Sequence, residues 1–501
     1  MQSFFDEYNR KRVRTVNDRD FNTNGRYVLY WMHLYRRFEY NHSFNYALAC
    51  SKHLNKPLVI YEGLKLDYPW SSRRLHTFIL QGMQENQRTA KKLGLNYWPF
   101  VETPDNSGRG LLRRLADDAA VVVTDDFPAF IIPEQTAALA QKTDTPIVAV
   151  DGNCIVPLDL LGDATKGAAH LRRRIHKEFA QAWEHRAGWR PQIASDFKEV
   201  IEPPFELWDV DDVTSFVESL PVDDTVPAVA ETSGGSLEAR KRLDDFIGGK
   251  LARYAEDRSP PVPPKDSPES GLSPYLHFGH IGIEEIVERT LDSLGEWSLD
   301  DLSQEARGKR DGFYCGDANV NGFLDEAITW RDVGFQWHWH RRRDTESLEK
   351  ALPEWALKTL REHADDKREY VYTLEQWENG ETHDDLWNAA QKELVATGRI
   401  QNYMRMVWGK KVVEWSATIE DAYKTLEHLN NKYALDGRNP NSYTGILWCF
   451  GLFDRAWGPE RKVFGKIRYM SSENTAKKFK LRSYLEYVKG LPSISEVRNR
   501  K

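Results

Sequence analysis

The chain has 501 residues, of which 40% are hydrophobic and 29% charged, the composition of a soluble globular protein with room for two or three domains. The formal net charge of −7 excludes a generally basic nucleic-acid coat, so any DNA binding requires a local basic surface. The four cysteines are widely separated and form no CxxC pair, which excludes a zinc ribbon or an iron–sulfur spacing and indicates reduced thiols in a cytoplasmic compartment.

No segment has the pattern of a signal peptide or a membrane span. Residues 1–20 lack an apolar core, and the most apolar run, residues 119–132, is interrupted by Asp125, Asp126 and Pro128. We therefore expect an intracellular protein that makes no contact with a membrane.

The first predicted elements alternate between strands and helices. This alternation predicts a parallel, five-stranded, Rossmann-like sheet with helices on both faces. No G-x-G-x-x-G motif follows the first strand, so a dinucleotide site of the usual kind is not expected in this domain. The predicted strands are 26–32, 57–63, 97–102, 119–126 and 145–152, and the predicted helices are 43–55, 71–94 and 108–118.

The C-terminal half has a different pattern. After an acidic stretch rich in Pro, Gly and Ser at 222–236, which predicts an exposed connector, apolar residues recur at helical spacing and predict an all-α domain. Thr382 with Asp385 and Thr418 with Asp421 predict helix starts, and Gly398 predicts a helix end. The predicted organisation is an N-terminal arm (1–25), an α/β domain (26–160), a connector (161–236), an all-α domain (237–490) and a basic tail (491–501).

Two segments of the all-α domain carry polar groups suited to a ligand. Residues 267–282 place serines and a glycine ahead of a helix, where free N–H groups favour a phosphate, although a well-capped helix has the same pattern. Glu326 and Arg331 share a largely apolar predicted helix, where a carboxylate is costly to bury unless it is bonded. This carboxylate is either part of a salt-bridged core or a ligand of a bound base.

Residues 334–344, GFQWHWHRRRD, are unusual because two tryptophans alternate with two histidines and three arginines follow. Such a segment is either a solvated basic loop or a surface that stacks on bases and holds phosphates. His338 and His340 resemble a strand-type metal pair, but no acidic or cysteine partner lies nearby at ligand spacing, so we expect no metal site.

A stripe of large apolar residues crosses the segment 404–415. Met404, Trp408, Val412 and Trp415 share one face of a predicted helix, and Trp387 lies on the helix before it. Periodicity alone favours ordinary core, and it does not separate core from a redox site. Downstream, the polar loop 436–440 lies among aromatic residues, a setting that suits recognition of a ring system.

Taken together, these segments resemble the photolyase and cryptochrome family of FAD flavoproteins, and most of all its class II cyclobutane pyrimidine dimer photolyases. The resemblance covers nearly the whole chain, and it is most specific in GLSPYLHFG, YMRMVWGKKVVEW and LNNKYALDGRNPNSYTGILW. It implies an α/β antenna-type domain followed by an all-α FAD-binding catalytic domain. The implied activity is light-driven repair of pyrimidine dimers in DNA by an electron from excited, reduced FAD.

The resemblance also assigns roles to single residues. Arg405 and Asp436 are expected to pair beside the flavin ring, and Asn430 to face its N5 atom. Glu326 is expected to hydrogen-bond the flipped-out dimer and to stabilise the negative charge that the electron brings. Trp387, Trp408 and Trp415 match a relay that carries electrons between the flavin and the surface. The remaining expected cofactor ligands are Tyr254, Ser270, Leu272, Ser273, Arg331 and Asn388, and the remaining expected DNA contacts are Met406, Trp448, Arg455 and Trp457.

Further expectations follow from the resemblance. The partner is damaged DNA, the protein is a monomer, and an 8-hydroxy-5-deazaflavin is the antenna chromophore typical of the class. Three departures border the DNA-facing side: Trp330 in place of an arginine, Gln401 and Asn402 in place of His-Gly, and Phe453 in place of a histidine. They leave the lesion type and the efficiency of repair open, and His338 and His340 raise the alternative of a (6-4) photoproduct, whose repair uses an active-site histidine. A cryptochrome-like photoreceptor and a DNA-binding flavoprotein without repair activity are competing hypotheses for the function.

Overall fold

A computed structural model describes residues 6–188, 199–341, 345 and 347–499 of the chain. Its N-terminal part contains one sheet of six strands in the order β1-β6-β5-β2-β3-β4. Strands β2 to β6 are parallel, and β1 pairs antiparallel with β6 at the edge. The strands are β1 (Val13–Thr15), β2 (Tyr27–Trp31), β3 (Leu58–Leu64), β4 (Asn96–Val101), β5 (Ala119–Asp125) and β6 (Ile147–Val150).

The five parallel strands confirm the predicted α/β fold, whereas the edge strand was not predicted. Strand β2 is buried at every position, as expected for a central parallel strand covered on both faces. Strand β1 has only three residues, VRT, within the segment predicted as an arm, so its sequence is too short to show a period of two.

The rest of the chain is helical, which confirms the predicted all-α C-terminal part. No helix among the described residues is long and apolar enough to cross a bilayer. In the N-terminal part the helices are α1 (His42–Leu54), α2 (Arg73–Leu93), α3 (Leu111–Asp117), α4 (Ile132–Ala140), α5 (Ala168–Glu184) and α6 (Val213–Glu218). They continue with α7 (Ser236–Asp245), α8 (Tyr254–Asp257), α9 (Ser273–His277), α10 (Ile283–Asp292), α11 (Ala318–Leu324), α12 (Arg331–Arg341), α13 (Leu348–Ala351) and α14 (Glu354–Glu362). The last are α15 (Leu374–Asn379), α16 (Asp385–Thr397), α17 (Asn402–Trp415), α18 (Ile419–Tyr433), α19 (Pro440–Cys449), α20 (Ser472–Lys478), α21 (Arg482–Gly490) and α22 (Ile494–Arg498).

Helix caps agree with the sequence at two of three predicted positions. Gly398 ends α16 with φ of 69°, and the Thr418 side chain accepts a hydrogen bond from the backbone N–H of Asp421 at the start of α18. The predicted cap of α16 at Thr382 is wrong, because Asp384 caps the helix by accepting from the Trp387 N–H. The Thr382 hydroxyl instead donates to Asn388 at 2.7 Å.

The interpretation of residues 334–344 as a solvated loop is wrong for its described part. Residues up to 341 continue α12, and residues 342–344 lie outside the described ranges. Trp337 and His338 are buried, and burial lowers the pKa of His338 to about 4. The His338 ring contacts Tyr443 of α19, and its Nδ1 donates to the Gly334 carbonyl at 2.9 Å. These two rings therefore pack inside the protein and cannot stack on DNA bases.

The segment between the two predicted domains packs against the rest of the protein and is not an exposed linker. Helix α5 buries Leu171, Ile175 and Phe179, and its Arg172 forms a buried, two-bond ion pair with Asp325 at 2.7 and 2.9 Å. The stretch 222–236, predicted to be exposed, contains the fully buried Val226, whose carbonyl accepts a hydrogen bond from the start of α2.

Arg74 joins the N-terminal part to the helical part. Its guanidinium donates to the carbonyls of Val395 and Tyr433, both at 2.6 Å, at the C-terminal ends of α16 and α18. It also donates to the Pro227 carbonyl at 3.1 Å. The side chain is buried, its described hydrogen bonds all go to backbone carbonyls, and burial lowers its pKa to about 10. The helix dipoles therefore stabilise its charge.

Replacing Arg74 should destabilise the whole molecule. Arg74→Met should lower the free energy of unfolding by about 3–5 kcal/mol, since each buried carbonyl left unpaired costs ~1–3 kcal/mol. The matched control is Arg73→Met, because the Arg73 side chain bonds the more exposed Glu218 carbonyl and Asp224. Urea unfolding followed by tryptophan fluorescence measures both variants. Equal effects of the two variants would contradict the role given to Arg74.

Candidate functional site

The centre of the candidate site is an ion pair between α17 and the loop after α18. Arg405 Nη2 lies 3.2 Å from Asp436 Oδ1, and Arg405 Nη1 lies 3.5 Å from Oδ2. The Ser273 hydroxyl donates to Asp436 Oδ2 at 2.8 Å. The Nε of Arg405 is buried and has no hydrogen-bond partner within the described part of the chain. The structure thus brings together three residues predicted from distant segments and leaves a donor for a ligand.

The turn that precedes α9 lies beside this pair. Gly271 has φ of 67°, a left-handed conformation that favours glycine, and Leu272 is buried behind it. Next to the turn, Glu269 pairs with Arg399 at 2.5 Å. The serine-rich segment therefore lies beside charged groups of the helical part. A segment that only caps a helix would not need such groups.

Two amides predicted to bind a cofactor occupy different settings. Asn430, 5% exposed, lies in the last turn of α18, and its Nδ2 is 3.4 Å from Asn431 Oδ1. Asn388 of α16 accepts from the backbone N–H of Thr382 at 3.0 Å and donates to the Thr382 carbonyl at 2.8 Å. Asn388 therefore holds the loop ahead of its own helix.

Glu326 lies on a π-helical segment, Asp325–Trp330, between α11 and α12. Such segments are rare and frequently occur at functional sites. Its carboxylate, 29% exposed, forms an ion pair with Arg258, whose guanidinium lies 5.5 Å from the centre of the Tyr254 ring. Arg258 was not predicted from the sequence, since it is remote from Glu326 along the chain and no local pattern marks it. The structure brings Tyr254 and Glu326 together through this arginine.

Arg331 contacts the N-terminal part. Its Nη1 donates to the Asn153 carbonyl at 2.7 Å and pairs with Asp332 at 3.2 Å, and the guanidinium lies 4.2 Å from the centre of the Phe335 ring. Burial raises the pKa of the Asp332 carboxyl to about 7. The described contacts of Arg331 thus serve the packing between the two parts of the molecule.

Aromatic rings and cations alternate on the surface formed by α19 and the following loop. Arg468 lies 4.2 Å from the centre of the Trp457 ring and 5.7 Å from that of Trp448. Arg455 lies 4.8 Å from the Trp457 ring. Asp454 fixes the arrangement, because it accepts two hydrogen bonds from Arg468, at 2.8 and 3.0 Å, and one from Trp457 Nε1 at 3.2 Å. This surface is a local basic patch on an acidic protein.

Lys410 supports the patch from below and was not singled out from the sequence. Its ammonium group is fully buried, donates to the Cys449 carbonyl at 2.8 Å and lies 4.5 Å from the centre of the Trp448 ring. Burial lowers its pKa to about 8. A lysine in a sequence normally indicates a solvated face, so the sequence pattern does not predict that Lys410 is buried.

Two open glycines lie beside these groups. Gly322 on α11 is one turn before Glu326, and Gly445 on α19 is one turn before Trp448. Apart from the adjacent residues and the backbone of the same helix, no atom of the described residues lies within 4 Å of where either Cβ would stand. Glycine inside a helix costs about 1 kcal/mol relative to alanine. Open space at both positions is expected where a ligand approaches the backbone closely.

The tryptophans form a buried ladder with one member more than predicted. The Trp408 and Trp387 rings stack at 6.2 Å with an interplanar angle of 6°. The Trp377 ring lies 4.7 Å from Trp387 and 6.2 Å from Trp415, so it stands between two residues of the predicted relay. Trp415 is only 4% exposed, and Tyr372 lies next to it at 6.0 Å.

Proteins of known activity resemble this chain along nearly its whole length, although no family model matches it. The deoxyribodipyrimidine photolyase of Methanothermobacter thermautotrophicus is 32% identical over 492 residues, which cover 96% of this chain and 98% of that protein. The chain belongs to the photolyase family. The deoxyribodipyrimidine photolyase of Oryza sativa is also 32% identical and covers 94% of this chain and 89% of that protein.

Solved structures of photolyases and cryptochromes share the fold. A class III photolyase from Agrobacterium tumefaciens superposes with a TM-score of 0.64 at 16% identity, covering 95% of this chain and 89% of that one. A Synechocystis cryptochrome gives 0.64 at 15% identity (94% and 91% covered), and a Sulfolobus tokodaii photolyase with two FAD molecules gives 0.58 at 15% (94% and 92%). This photolyase is therefore a lyase of a flavoprotein family.

The residues of this photolyase fit FAD. The Arg405–Asp436 pair offers opposite charges to the edge of a flavin ring, and the unpartnered Arg405 Nε offers a further donor. The turn at Gly271 and the N–H groups that follow it suit a phosphate. These groups are of the kinds that could bind a dinucleotide with a polar ring system.

The buried ammonium of Lys410 should make the stability of this photolyase depend on pH. The folded pKa of about 8 lies below the ordinary 10.5, so the unfolded chain binds more protons between these values, and stability contributed by Lys410 rises as pH rises from 8 to 10.5. Lys410→Met should remove this rise, which amounts to about 3 kcal/mol at most. Urea unfolding of both proteins at pH 7, 8, 9 and 10.5 measures the difference. A constant difference across this range would contradict a depressed lysine pKa.

Proposed function

We propose that this photolyase repairs cyclobutane pyrimidine dimers in DNA, with reduced FAD as its active cofactor. The observation that carries the proposal is the combination of Glu326, Trp448 and two open helical glycines with the Arg405–Asp436 pair. A reduced flavin, when bound there and excited by light, supplies one electron to the dimer and takes it back after the ring has opened. The protein supplies position and electrostatics.

In this proposal the cofactor is held from two sides. Arg405 and Asp436 would lie beside the ring, and Asn430 would face its N5 edge, where an amide would influence the proton at that atom. Tyr254, Ser270, Leu272 and Ser273 would hold the phosphates. Arg331 and Asn388 complete the set, although their described contacts serve the domain contact and the loop ahead of α16.

Glu326 changes partner when the lesion arrives. In the free protein Arg258 neutralises its carboxylate. A dimer that enters the site displaces this arginine, and Glu326 then hydrogen-bonds the pyrimidine ring and offsets the negative charge that the electron brings. Arg258, released, remains near the substrate as a cation for a DNA phosphate.

The basic patch accounts for DNA binding by an acidic protein. Removing a dimer from the stack costs a few kcal/mol, less for a damaged site, and stacking on an aromatic ring returns about 1–3 kcal/mol per base. Trp448 and Met406 contact the flipped dimer, whereas Trp457 and Arg455 fill its place in the duplex. Asp454 holds Trp457 and Arg468 in position for this role.

The proposal also covers the antenna chromophore, the oligomeric state and the cellular location of the protein. An 8-hydroxy-5-deazaflavin in the α/β domain is proposed as the light-harvesting chromophore. The protein acts as a monomer on chromosomal DNA inside the cell.

A cryptochrome-like photoreceptor is the second candidate, because the Synechocystis cryptochrome has the same fold. The aromatic ladder serves either activity. Glu326 and the basic patch favour repair, since a light sensor needs neither a dimer-binding carboxylate nor aromatic rings for the duplex. One assay separates the two: reduced protein is illuminated with dimer-containing DNA, and intact thymine is measured. No light-dependent recovery of thymine would contradict the repair function.

Glu326 should control repair through its hydrogen bond. Glu326→Ala should lower the repair rate at a fixed photon dose about tenfold or more, since a hydrogen bond to a charged group contributes ~1.5–3 kcal/mol. Glu326→Gln keeps a donor and an acceptor and should retain more activity than the alanine variant. The FAD content of both variants, read from absorbance, is the control. Full activity of Glu326→Ala would contradict the proposed contact.

Trp408 should control photoreduction and not repair. Trp408→Phe should slow the light-driven reduction of oxidised FAD by about tenfold or more, because it removes the stacking partner of Trp387, and a protein reduced chemically beforehand should repair DNA at nearly the normal rate. The matched control is Trp297→Phe, since Trp297 contacts Trp183 away from the ladder. Absorbance changes of the flavin under illumination measure the first rate. Unchanged photoreduction in Trp408→Phe would exclude it from the relay.

A further inference from the structure

The aromatic ladder ends at a cavity. This cavity has a volume of about 440 Å³, and its wall includes Trp377 and Tyr372, the two rings that extend the ladder beyond the predicted relay. Leu374 at its mouth is 45% exposed. The remaining wall is polar except for Ala417 and consists of residues from the α17–α18 turn and from α18, among them Ser416, Asp421, Lys424 and His428.

We propose that this cavity binds a small anionic one-electron donor, of the enediolate class, that reduces the outer end of the ladder. The inference rests on the proposed electron relay and names its external partner. It gives the relay an exit at Tyr372, which is partly exposed, because Trp377 and Trp415 are both buried. Without an electron from outside, a residue that has lost its electron towards the flavin would take it back.

The size and the lining of the cavity fit such a ligand. Ligand pockets occupy roughly 300–1,000 Å³ and combine apolar walls with a few polar groups. Here Trp377 and Leu374 supply apolar wall, and the hydroxyls of Ser416 and Thr425 are among the polar groups. A compact ring that carries several hydroxyls matches this lining, and a duplex or a protein chain does not enter a cavity of this volume.

The charge at the wall favours an anion. Lys424 forms no hydrogen bond or ion pair with any described residue, so its ammonium group is available at the cavity. Glu378 beneath the wall is already neutralised, because His428, Lys432 and Arg498 contact its carboxylate at 2.7, 2.8 and 3.2 Å. Hydrogen bonds from His428 and Lys432 lower the pKa of Glu378 to about 2 against the opposing effect of burial. Asp421 is therefore the acidic wall residue left to oppose an anion.

Tyr372 has a base for its proton. Its hydroxyl donates to His383 Nδ1 at 2.5 Å, and its ring lies 5.1 Å from Trp377 and 6.0 Å from Trp415. When Trp377 or Trp415 has lost an electron, Tyr372 returns one to it and passes its phenolic proton to His383. The donor in the cavity then gives one electron to Tyr372, which recovers its proton from His383. An ascorbate-type monoanion is oxidised by one electron in this step and releases its own proton to water.

The test uses the FAD-loaded protein, laser flashes and ascorbate as the probe. The measured quantity is the decay rate of the oxidised tryptophan or tyrosine, followed by its absorbance, against ascorbate concentration. The unmodified protein should show a rate that saturates, as expected for a bound donor. Lys424→Glu should lower the rate about tenfold at low ascorbate. Lys358→Glu is the matched control, because Lys358 is 75% exposed on α14, away from the cavity wall, and its replacement changes the net charge equally.

A second variant fills the cavity without touching a charge. Ala417 is an exposed wall residue, so Ala417→Phe should fold normally and slow the decay with both ascorbate and neutral hydroquinone. Lys424→Glu should affect ascorbate much more than hydroquinone. In the dark, calorimetric titration with ascorbate should detect binding to the unmodified protein and not to Ala417→Phe.

The outcomes distinguish a failure of the electron relay from a failure of the binding cavity. If the flash produces no oxidised tryptophan or tyrosine in the unmodified protein, the relay itself is wrong. If the oxidised residue forms, but its decay rises linearly with ascorbate and is equal in all variants, the relay stands and the binding cavity is overturned. In Tyr372→Phe the oxidised species should be tryptophan alone, and an unchanged tyrosine signal would exclude Tyr372 as the outer residue.

Discussion

The structure depends on a buried arginine that binds the ends of two helices. Arg74 lies in the first turn of α2 of the α/β part, yet its hydrogen bonds go to the last turns of α16 and α18. These helices carry Trp387 and Asn430, so one guanidinium fixes the positions of a ladder residue and of a predicted flavin contact. Carbonyl groups at helix ends carry partial negative charge, and this explains how a buried cation is tolerated without a carboxylate. Arg74 therefore couples the α/β part to the helices that carry these two residues.

The same kind of constraint explains why the ladder is buried. Electron transfer between rings is faster the closer they lie, and closely packed rings exclude water, so the ladder is also part of the hydrophobic core of the helical part. Trp387 and Trp408 are each also fixed by a hydrogen bond of the indole N–H, to the Trp408 carbonyl and to Gln391, both at 3.0 Å. These bonds are needed because a buried indole N–H without a partner is costly. Periodicity was right about burial, and burial does not exclude a redox role.

The sequence predicts those features that depend on neighbours along the chain. Parallel strands are recognised as short apolar runs, and Gly398 and Thr418 act on the backbone of their own helices. The family resemblance paired Arg405 with Asp436, and the structure confirms their contact. Three residues were not predicted, and the reason is the same for each: the residue takes its role from a contact with another element of the structure. They are Arg258, Lys410 and Trp377. The charge of Lys410 indicates a solvated face until Cys449 and Trp448 are placed above it.

Electrostatics then links the site to its proposed substrate. With a net charge of −7 the protein as a whole repels DNA, so binding has to come from cations held close to one surface. Arg455 and Arg468 meet this need next to Trp457, and Asp454 prevents Arg468 from folding away by holding it in two hydrogen bonds. Because photolyases and a cryptochrome share this fold, the fold does not decide between repair and signalling. The proposal of repair therefore depends on this surface and on Glu326, whose carboxylate pairs with Arg258.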